Sequence, residues 1–120
     1  MALRILTALA LLVNGWIHLD LWFDWARFMD VVGPAFLVNA AAAVVIAGLL
    51  VVRTGRVELL LAAGFGLATL GAFLISTTPA GFFGVREPWD GAPQLVSAAT
   101  DVLVVVGAVV IHLRERGPRG

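Results

Sequence analysis

The chain has no cysteine and few charged residues, and each of these absences excludes certain kinds of functional site or partner. Without cysteine there are no disulfides, no thiolate metal sites and no cysteine nucleophile. Only 13% of its 120 residues are charged and the formal net charge is zero, so no basic field favours nucleic acid as a partner. The sequence also lacks a phosphate-binding loop, a nucleophile elbow and a zinc-protease motif. No pattern therefore indicates an enzyme, and we predict no catalytic residues.

Apolar residues dominate what is present. They make up 61% of the chain, against roughly 45–50% in soluble domains, and the mean hydropathy is +1.00. Four long apolar runs cover residues 3–21, 31–52, 59–75 and 95–113, each near the roughly 20 residues that cross a bilayer. We therefore predict an all-α fold, a four-helix transmembrane bundle that forms one integral membrane domain over residues 1–120.

The first apolar run has a competing interpretation as a signal peptide. Arg4 followed by an apolar stretch fits that interpretation. The run leads, however, into Asn-Gly-Trp-Ile-His, which is not a small-residue cleavage site. We therefore interpret it as the first membrane span.

Charge predicts the orientation of the bundle. The side that holds both termini has six arginines and the other side has two, so the positive-inside rule places both termini in the cytoplasm of the plasma (inner) membrane. The four tryptophans fall on the outer side, where we interpret them as interfacial anchors. The six arginines are Arg4, Arg53, Arg56, Arg114, Arg116 and Arg119.

Polar residues inside the spans recur at helical spacing and at one depth. Asn14 and His18 are four residues apart, as are Ser97 and Asp101, so each pair shares one helix face. With a rise of about 1.5 Å per residue, these residues fall at a similar level in the outer half of the membrane. We predict an inward-facing polar layer that binds a ligand or handles protons, formed by Asn14, His18, Asn39, Ser76, Ser97 and Asp101.

Asp101 is the most informative member of this layer. A carboxylate inside a span needs a partner, water or a proton, and His18 is the one basic group predicted at its depth. We therefore expect His18 and Asp101 to form a hydrogen-bonded pair. The alternative is that these polar side chains only hold the helices together.

The third span also carries a ridge of small residues. Gly64, Ala68 and Ala72 recur every four residues, a spacing that suits close contact with a neighbouring helix. We expect this ridge to be a packing surface.

The outer loop "TTPAGFFGVREPWDGAP" at 77–93 has two interpretations. It is either a lid over the polar layer, with Arg86 binding an anionic headgroup or substrate, or an ordinary loop whose phenylalanines dip into the interface.

No cofactor and no metal site are predicted. The outer acids lack metal-ligand spacing, since Asp20 and His18 are two residues apart and point to different helix faces. Quinone and haem are the alternatives. His18 and His112 lie near opposite faces of the membrane, so a haem would have to bridge two His18 side chains in a dimer.

Three stretches carry a resemblance to known proteins: "HLDL" at 18–21, "GPAFLVNA" at 33–40 and "GFFGVRE" at 81–87. In this order, over most of the chain, they resemble small four-span membrane proteins common in actinobacteria, which implies fold and location but no activity. Size and topology are also similar to the DoxX-like four-helix membrane proteins, some of which are linked to quinone redox chemistry. That likeness concerns topology alone, so it implies no site residue.

The sequence thus favours a non-catalytic accessory or hydrophobic-ligand-binding membrane subunit. The predicted partners are membrane lipids, a second copy of the chain or another membrane protein. One alternative is a quinone-linked redox subunit in which His18 and Asp101 handle protons. The other is a proton-coupled transporter, for whose inner path only Thr7, Thr69 and His112 are candidates.

Overall fold

The computed structural model describes residues 1–116, which form a bundle of four long helices. All four are long and apolar enough to cross a membrane, which confirms the predicted fold class. The bundle is elongated, with extents of 50 × 23 × 21 Å. Arg119, one of the predicted cytoplasmic arginines, lies outside the described residues. The helices are α1 (Ala2–Asp24), α2 (Val32–Val52), α3 (Val57–Ser76) and α4 (Ala92–Glu115).

The four helices follow the predicted spans, and three of them are longer than predicted. α1, α3 and α4 extend past the apolar runs at both ends, because a helix continues into polar residues such as Asp24 and Glu115 after the hydrophobic stretch has stopped. A single 3₁₀ turn over Ala26–Phe28 follows α1. Pro93 lies in the first turn of α4, where its missing N–H costs no helical hydrogen bond.

The helices do not pack evenly around the bundle. α1 packs against α2 and α4, and α3 packs against α4, whereas the remaining pair of neighbours, α2 and α3, packs less extensively. The short connection at 53–56 nevertheless joins α2 and α3 closely at one end. They therefore meet at that end and leave space between them at the other.

Glycine sets the closest helix contacts, but not at the predicted position. A methyl group on Gly66 would lie 2.8 Å from the carbonyl oxygen of Asp101, so α3 and α4 touch through their backbones here. A methyl group on Gly64 would meet no atom within 4 Å. The predicted role of Gly64 in a packing ridge was therefore wrong, because the four-residue spacing identifies a ridge without saying which way it faces.

An apolar core fills the part of the bundle nearer to the chain's first residue. Leu11, Leu50 and Val104 are completely buried there, and each comes from a different helix. The core separates two polar regions, one at the end that holds Arg4 and one towards the connection at 77–91. We call these the Arg4 end and the loop end.

Candidate ligand-binding cavity

A cavity of about 290 Å³ lies at the loop end, between α2 and α3. Its walls are mostly apolar, and its volume is near the lower limit for small-molecule sites, roughly 300 Å³. We call it the lateral cavity. It is lined by His18, Leu21, Val32, Ala35, Phe36, Val38, Asn39, Ala42, Phe65, Ala68, Thr69, Ala72, Phe73, Ser76, Phe82, Val85, Glu87, Pro93, Gln94 and Ser97.

The cavity opens sideways. Ala35 and Val38 of α2 and Ala68 of α3 line it and are also exposed on the outer surface of the bundle, Val38 by 67%. These residues lie within helices that are long and apolar enough to span a membrane. The opening between α2 and α3 therefore lies on the outer surface of two candidate membrane spans.

His18 lines this space, and one of its ring nitrogens is bonded within α1. Its Nδ1 lies 2.9 Å from the backbone carbonyl oxygen of Asn14, one helical turn earlier. A carbonyl oxygen only accepts, so Nδ1 carries the proton and donates it. The ring is further fixed edge-on against Phe36, with centroids 4.8 Å apart. Because Nδ1 is occupied, Nε2 is the nitrogen that can bond an occupant of the cavity.

Asn39 connects the two walls. Its Nδ2 donates to the Thr69 hydroxyl at 3.1 Å, which links α2 to α3. Its Oδ1 is buried and accepts no hydrogen bond from residues 1–116. This oxygen, and the second N–H of the same amide, are polar groups that a bound molecule can use.

The connection at 77–91 folds back over the loop end of the cavity. The Glu87 backbone N–H donates to the Ser76 carbonyl at 3.0 Å. The Glu87 carboxylate accepts from the Gln94 amide at 3.3 Å and lies 3.4 Å from the Ser76 hydroxyl, which donates to the Phe73 carbonyl at 2.6 Å. Phe82, Val85 and Glu87 consequently line the cavity.

A two-residue hairpin shapes that segment. Phe82 and Val85 exchange backbone hydrogen bonds of 2.8 and 2.9 Å. The two residues between them, Phe83 and Gly84, both have positive φ, at 48° and 81°. This is the conformation of a tight turn in which glycine is favoured, and it directs Phe82 and Val85 to the same side.

Arg86 does not take the predicted position. Its side chain is exposed and is not among the residues that line the cavity, whereas the next residue, Glu87, is. Neighbouring residues of an extended segment point to opposite sides. Glu87 therefore faces the cavity where Arg86 was predicted to do so, and a carboxylate takes the place of the expected cation. The predicted anion-binding role of Arg86 over the polar layer is therefore not supported.

Behind the cavity lies a group of polar side chains that we call the Asn14 cluster, made by Asn14, Ser97, Thr100 and Asp101. The Asn14 Nδ2 donates towards the Asp101 Oδ1 at 2.8 Å, the Thr100 hydroxyl at 2.9 Å and the Ser97 carbonyl at 3.1 Å. Asn14 and Asp101 are completely buried, and only Ser97 of this cluster also lines the cavity. The cluster fastens α1 to α4.

His18 and Asp101 do not form the hydrogen-bonded pair that the sequence suggested. Asn14 lies between them: its backbone carbonyl accepts from His18, and its side-chain amide donates to Asp101. The physical reason is that Asn14 is one helical turn nearer to Asp101, while the His18 ring reaches the carbonyl of its own helix first. The remaining Asp101 oxygen, Oδ2, accepts no hydrogen bond from residues 1–116.

The structure thus divides the predicted site residues into three groups. Four line the cavity, two lie behind it in the Asn14 cluster, and one is outside it. In that order they are His18, Asn39, Ser76 and Ser97; Asn14 and Asp101; and Arg86.

Sequence reasoning missed a buried ion cluster at the Arg4 end. Arg4 is only 1% exposed, and its guanidinium bonds Glu115 at 2.6 and 2.8 Å and Glu58 at 3.0 Å. It also donates to the carbonyls of Arg53 and Gly55, at 2.8 and 3.2 Å. The available signal was a charged residue in the first or last turn of three helices. We used these charges only to predict the orientation of the bundle. The apolar core separates this cluster from the cavity, so its role is to tie α1, α3 and α4 together.

No protein-family model, curated protein or solved structure matches this chain. The resemblance to DoxX-like and actinobacterial four-span proteins therefore stays a prediction.

Proposed function

We propose that this protein is a non-catalytic membrane subunit that binds a hydrophobic small molecule, lipid-like or quinone-like, in the lateral cavity. The observation that carries the proposal is the cavity's side opening between α2 and α3, combined with a few polar groups in apolar walls. Such a combination of apolar lining and sparse polar groups is typical of small-molecule sites.

The polar groups indicate the chemistry of the head of this molecule. Because Nδ1 donates to the Asn14 carbonyl, the neutral form of the His18 ring accepts at Nε2, which suits a hydroxyl group. Asn39 and Ser97 offer an N–H and an O–H, which suit a carbonyl oxygen. A volume of about 290 Å³ admits a ring-sized head, and an attached apolar tail would leave through the opening into the bilayer.

Binding is favoured over proton-linked functions. The protein's own groups between His18 and Asp101 are a backbone carbonyl and a side-chain amide, and neither titrates. This arrangement gives little support to a redox subunit in which the two residues exchange a proton. A transporter would need a polar path to the Arg4 end, where Leu11, Leu50 and Val104 fill the core instead.

The proposal includes topology and partners. Both termini lie in the cytoplasm and the loop end faces outwards across the plasma membrane, because arginines are concentrated at the Arg4 end. With so little of the chain outside the helices, the subunit acts through its membrane-facing surface, on a second copy or on another membrane protein.

A matched pair of variants tests the binding role. Ala42 lines the cavity, and the adjacent Ala41 is exposed on the same helix without lining it. The native protein, Ala42→Phe and Ala41→Phe are purified from membranes in mild detergent, and co-purified lipids and isoprenoid quinones are counted by mass spectrometry.

We expect one class of apolar molecule to accompany the native protein and Ala41→Phe, and to be lost from Ala42→Phe. His18→Phe should weaken retention of the same molecule, because it removes the Nε2 acceptor while keeping an aromatic ring. Equal retention by all of these variants would refute the proposal. A visible absorption spectrum of the same samples reports whether haem is bound instead.

A further inference from the structure

A second concave surface lies at the Arg4 end, on the opposite side of the core from the lateral cavity. It is an apolar groove of about 380 Å³ between α3 and α4, with Leu60, Ala63 and Val109 along it. Leu60 is 73% exposed, so the groove is open to the surroundings of the bundle. At its end it runs into a smaller polar pocket of about 80 Å³, with which it shares Arg56 and His112.

The polar pocket has an excess of positive charge. Arg56 and Arg116 both line it and are exposed, and neither forms an ion pair within residues 1–116. The carboxylate in this pocket, Glu115, is already matched, because both of its oxygens accept hydrogen bonds from Arg4. His112 adds at least one ring N–H, whatever its charge.

We propose that this surface binds an anionic phospholipid, with an acyl chain in the groove and the phosphate at Arg56, Arg116 and His112. An apolar groove that ends in cations at the level of a helix terminus has the polarity of a lipid molecule. Basic pockets between transmembrane helices hold anionic headgroups in the same way. The Ala63 side chain keeps the groove deep, because a larger residue there would fill it. This site is independent of the ligand proposed for the lateral cavity.

Lipid retention provides the test. The full chain is reconstituted in phosphatidylcholine bilayers that contain a minor fraction of phosphatidylglycerol, extracted in mild detergent, and analysed by native mass spectrometry. The ratio of retained phosphatidylglycerol to phosphatidylcholine is compared between the native protein, Arg56→Gln and Arg116→Gln. Arg86→Gln is the control, since Arg86 is an exposed arginine at the loop end.

We expect the native protein to retain phosphatidylglycerol preferentially. Each of Arg56→Gln and Arg116→Gln should lower the ratio by about fivefold, from roughly 1 kcal/mol for each basic residue near an anionic headgroup. Arg86→Gln should leave it unchanged, and Ala63→Leu should reduce the amount of lipid retained without removing a charge.

Three results would overturn the proposal. The first is an equal ratio in Arg56→Gln and Arg86→Gln. The second is full lipid retention by Ala63→Leu, because the groove would then not be occupied. The third is displacement of the lipid by added inorganic phosphate, which would show that the pocket selects a free anion.

Discussion

The Asn14 side chain has more hydrogen-bond partners than any other side chain of the polar layer. It is completely buried, and its Nδ2, which carries two hydrogens, lies within hydrogen-bond distance of acceptors on three residues of α4, including the Asp101 carboxylate. Removing one partner of a buried hydrogen bond costs more than the bond itself contributes, because the other partner loses its compensation for lost water.

We therefore expect Asn14→Ala to lower the free energy of unfolding by about 1–3 kcal/mol. Asn39→Ala removes the same atoms but only one inter-helix bond at a half-buried position, so its cost should be about 0.6 kcal/mol. Equilibrium unfolding of both variants in mixed micelles, followed by circular dichroism, gives the two values.

A double-mutant cycle separates hydrogen bonding from packing in this prediction. Asp101→Ala should be less destabilising in the Asn14→Ala background than in the native protein, because the carboxylate has already lost its donor. Equal costs in the two backgrounds, or equal costs for Asn14→Ala and Asn39→Ala, would contradict our account of the cluster.

The inward positions of these polar residues were predictable, but their hydrogen-bond partners were not. Helical spacing placed Asn14, His18 and Asp101 on inward faces because polar groups inside a span avoid lipid. Which of these side chains form hydrogen bonds with each other depends on the exact rotation of each helix. It also depends on the Asn14 backbone carbonyl, which competes with Asp101 for the His18 ring. The spacing of residues in a sequence determines neither the helix rotation nor this competition.

At the scale of helices, the fit of α3 against α4 depends on the absence of one methyl group. Gly66 meets the backbone of α4 at Asp101, while Gly64 faces open space on the same helix. Gly66→Ala should therefore destabilise the protein by about 1–3 kcal/mol, the usual cost of overpacking. Gly64→Ala should stay within about 0.5 kcal/mol of the native value.

The same unfolding assay in micelles measures both glycine variants. A similar effect at the two positions would show that α3 and α4 are not in backbone contact at Gly66. The sequence could not distinguish the two glycines, because both lie in an apolar run and the choice depends on how far α3 is rotated.

The Arg4 end shows a related limit on prediction from sequence. Arg4 and Glu58 are 54 residues apart, and Glu115 lies 111 residues from Arg4, at the end of α4. Each charge alone is an ordinary end-of-span residue. Only the antiparallel arrangement of the helices joins them, and breaking such a buried pair costs about 3–5 kcal/mol even though forming it adds little net stability.

At the scale of the whole molecule, the number and order of spans were predictable because each helix is one long apolar run. The absence of native cysteine makes the proposed orientation directly testable with single-cysteine variants. Thr54 and Asp90 are exposed and lie in the connections at the Arg4 end and the loop end.

In intact cells we expect a membrane-impermeant maleimide to label Asp90→Cys and not Thr54→Cys, because the arginine-rich end stays in the cytoplasm. Both variants should be labelled after the membrane is permeabilised, which controls for reactivity. The reverse pattern in intact cells would contradict the proposed orientation and leave the helix bundle itself unaffected.

The side opening of the cavity decides which concentration governs its occupancy. A molecule that enters between α2 and α3 arrives already dissolved in lipid, so its mole fraction in the membrane takes the place of its concentration in water. Apolar molecules accumulate in bilayers, and a site with modest intrinsic affinity is then filled. For the ligand proposed here, occupancy of the cavity follows the composition of the surrounding lipid and responds little to the aqueous phase.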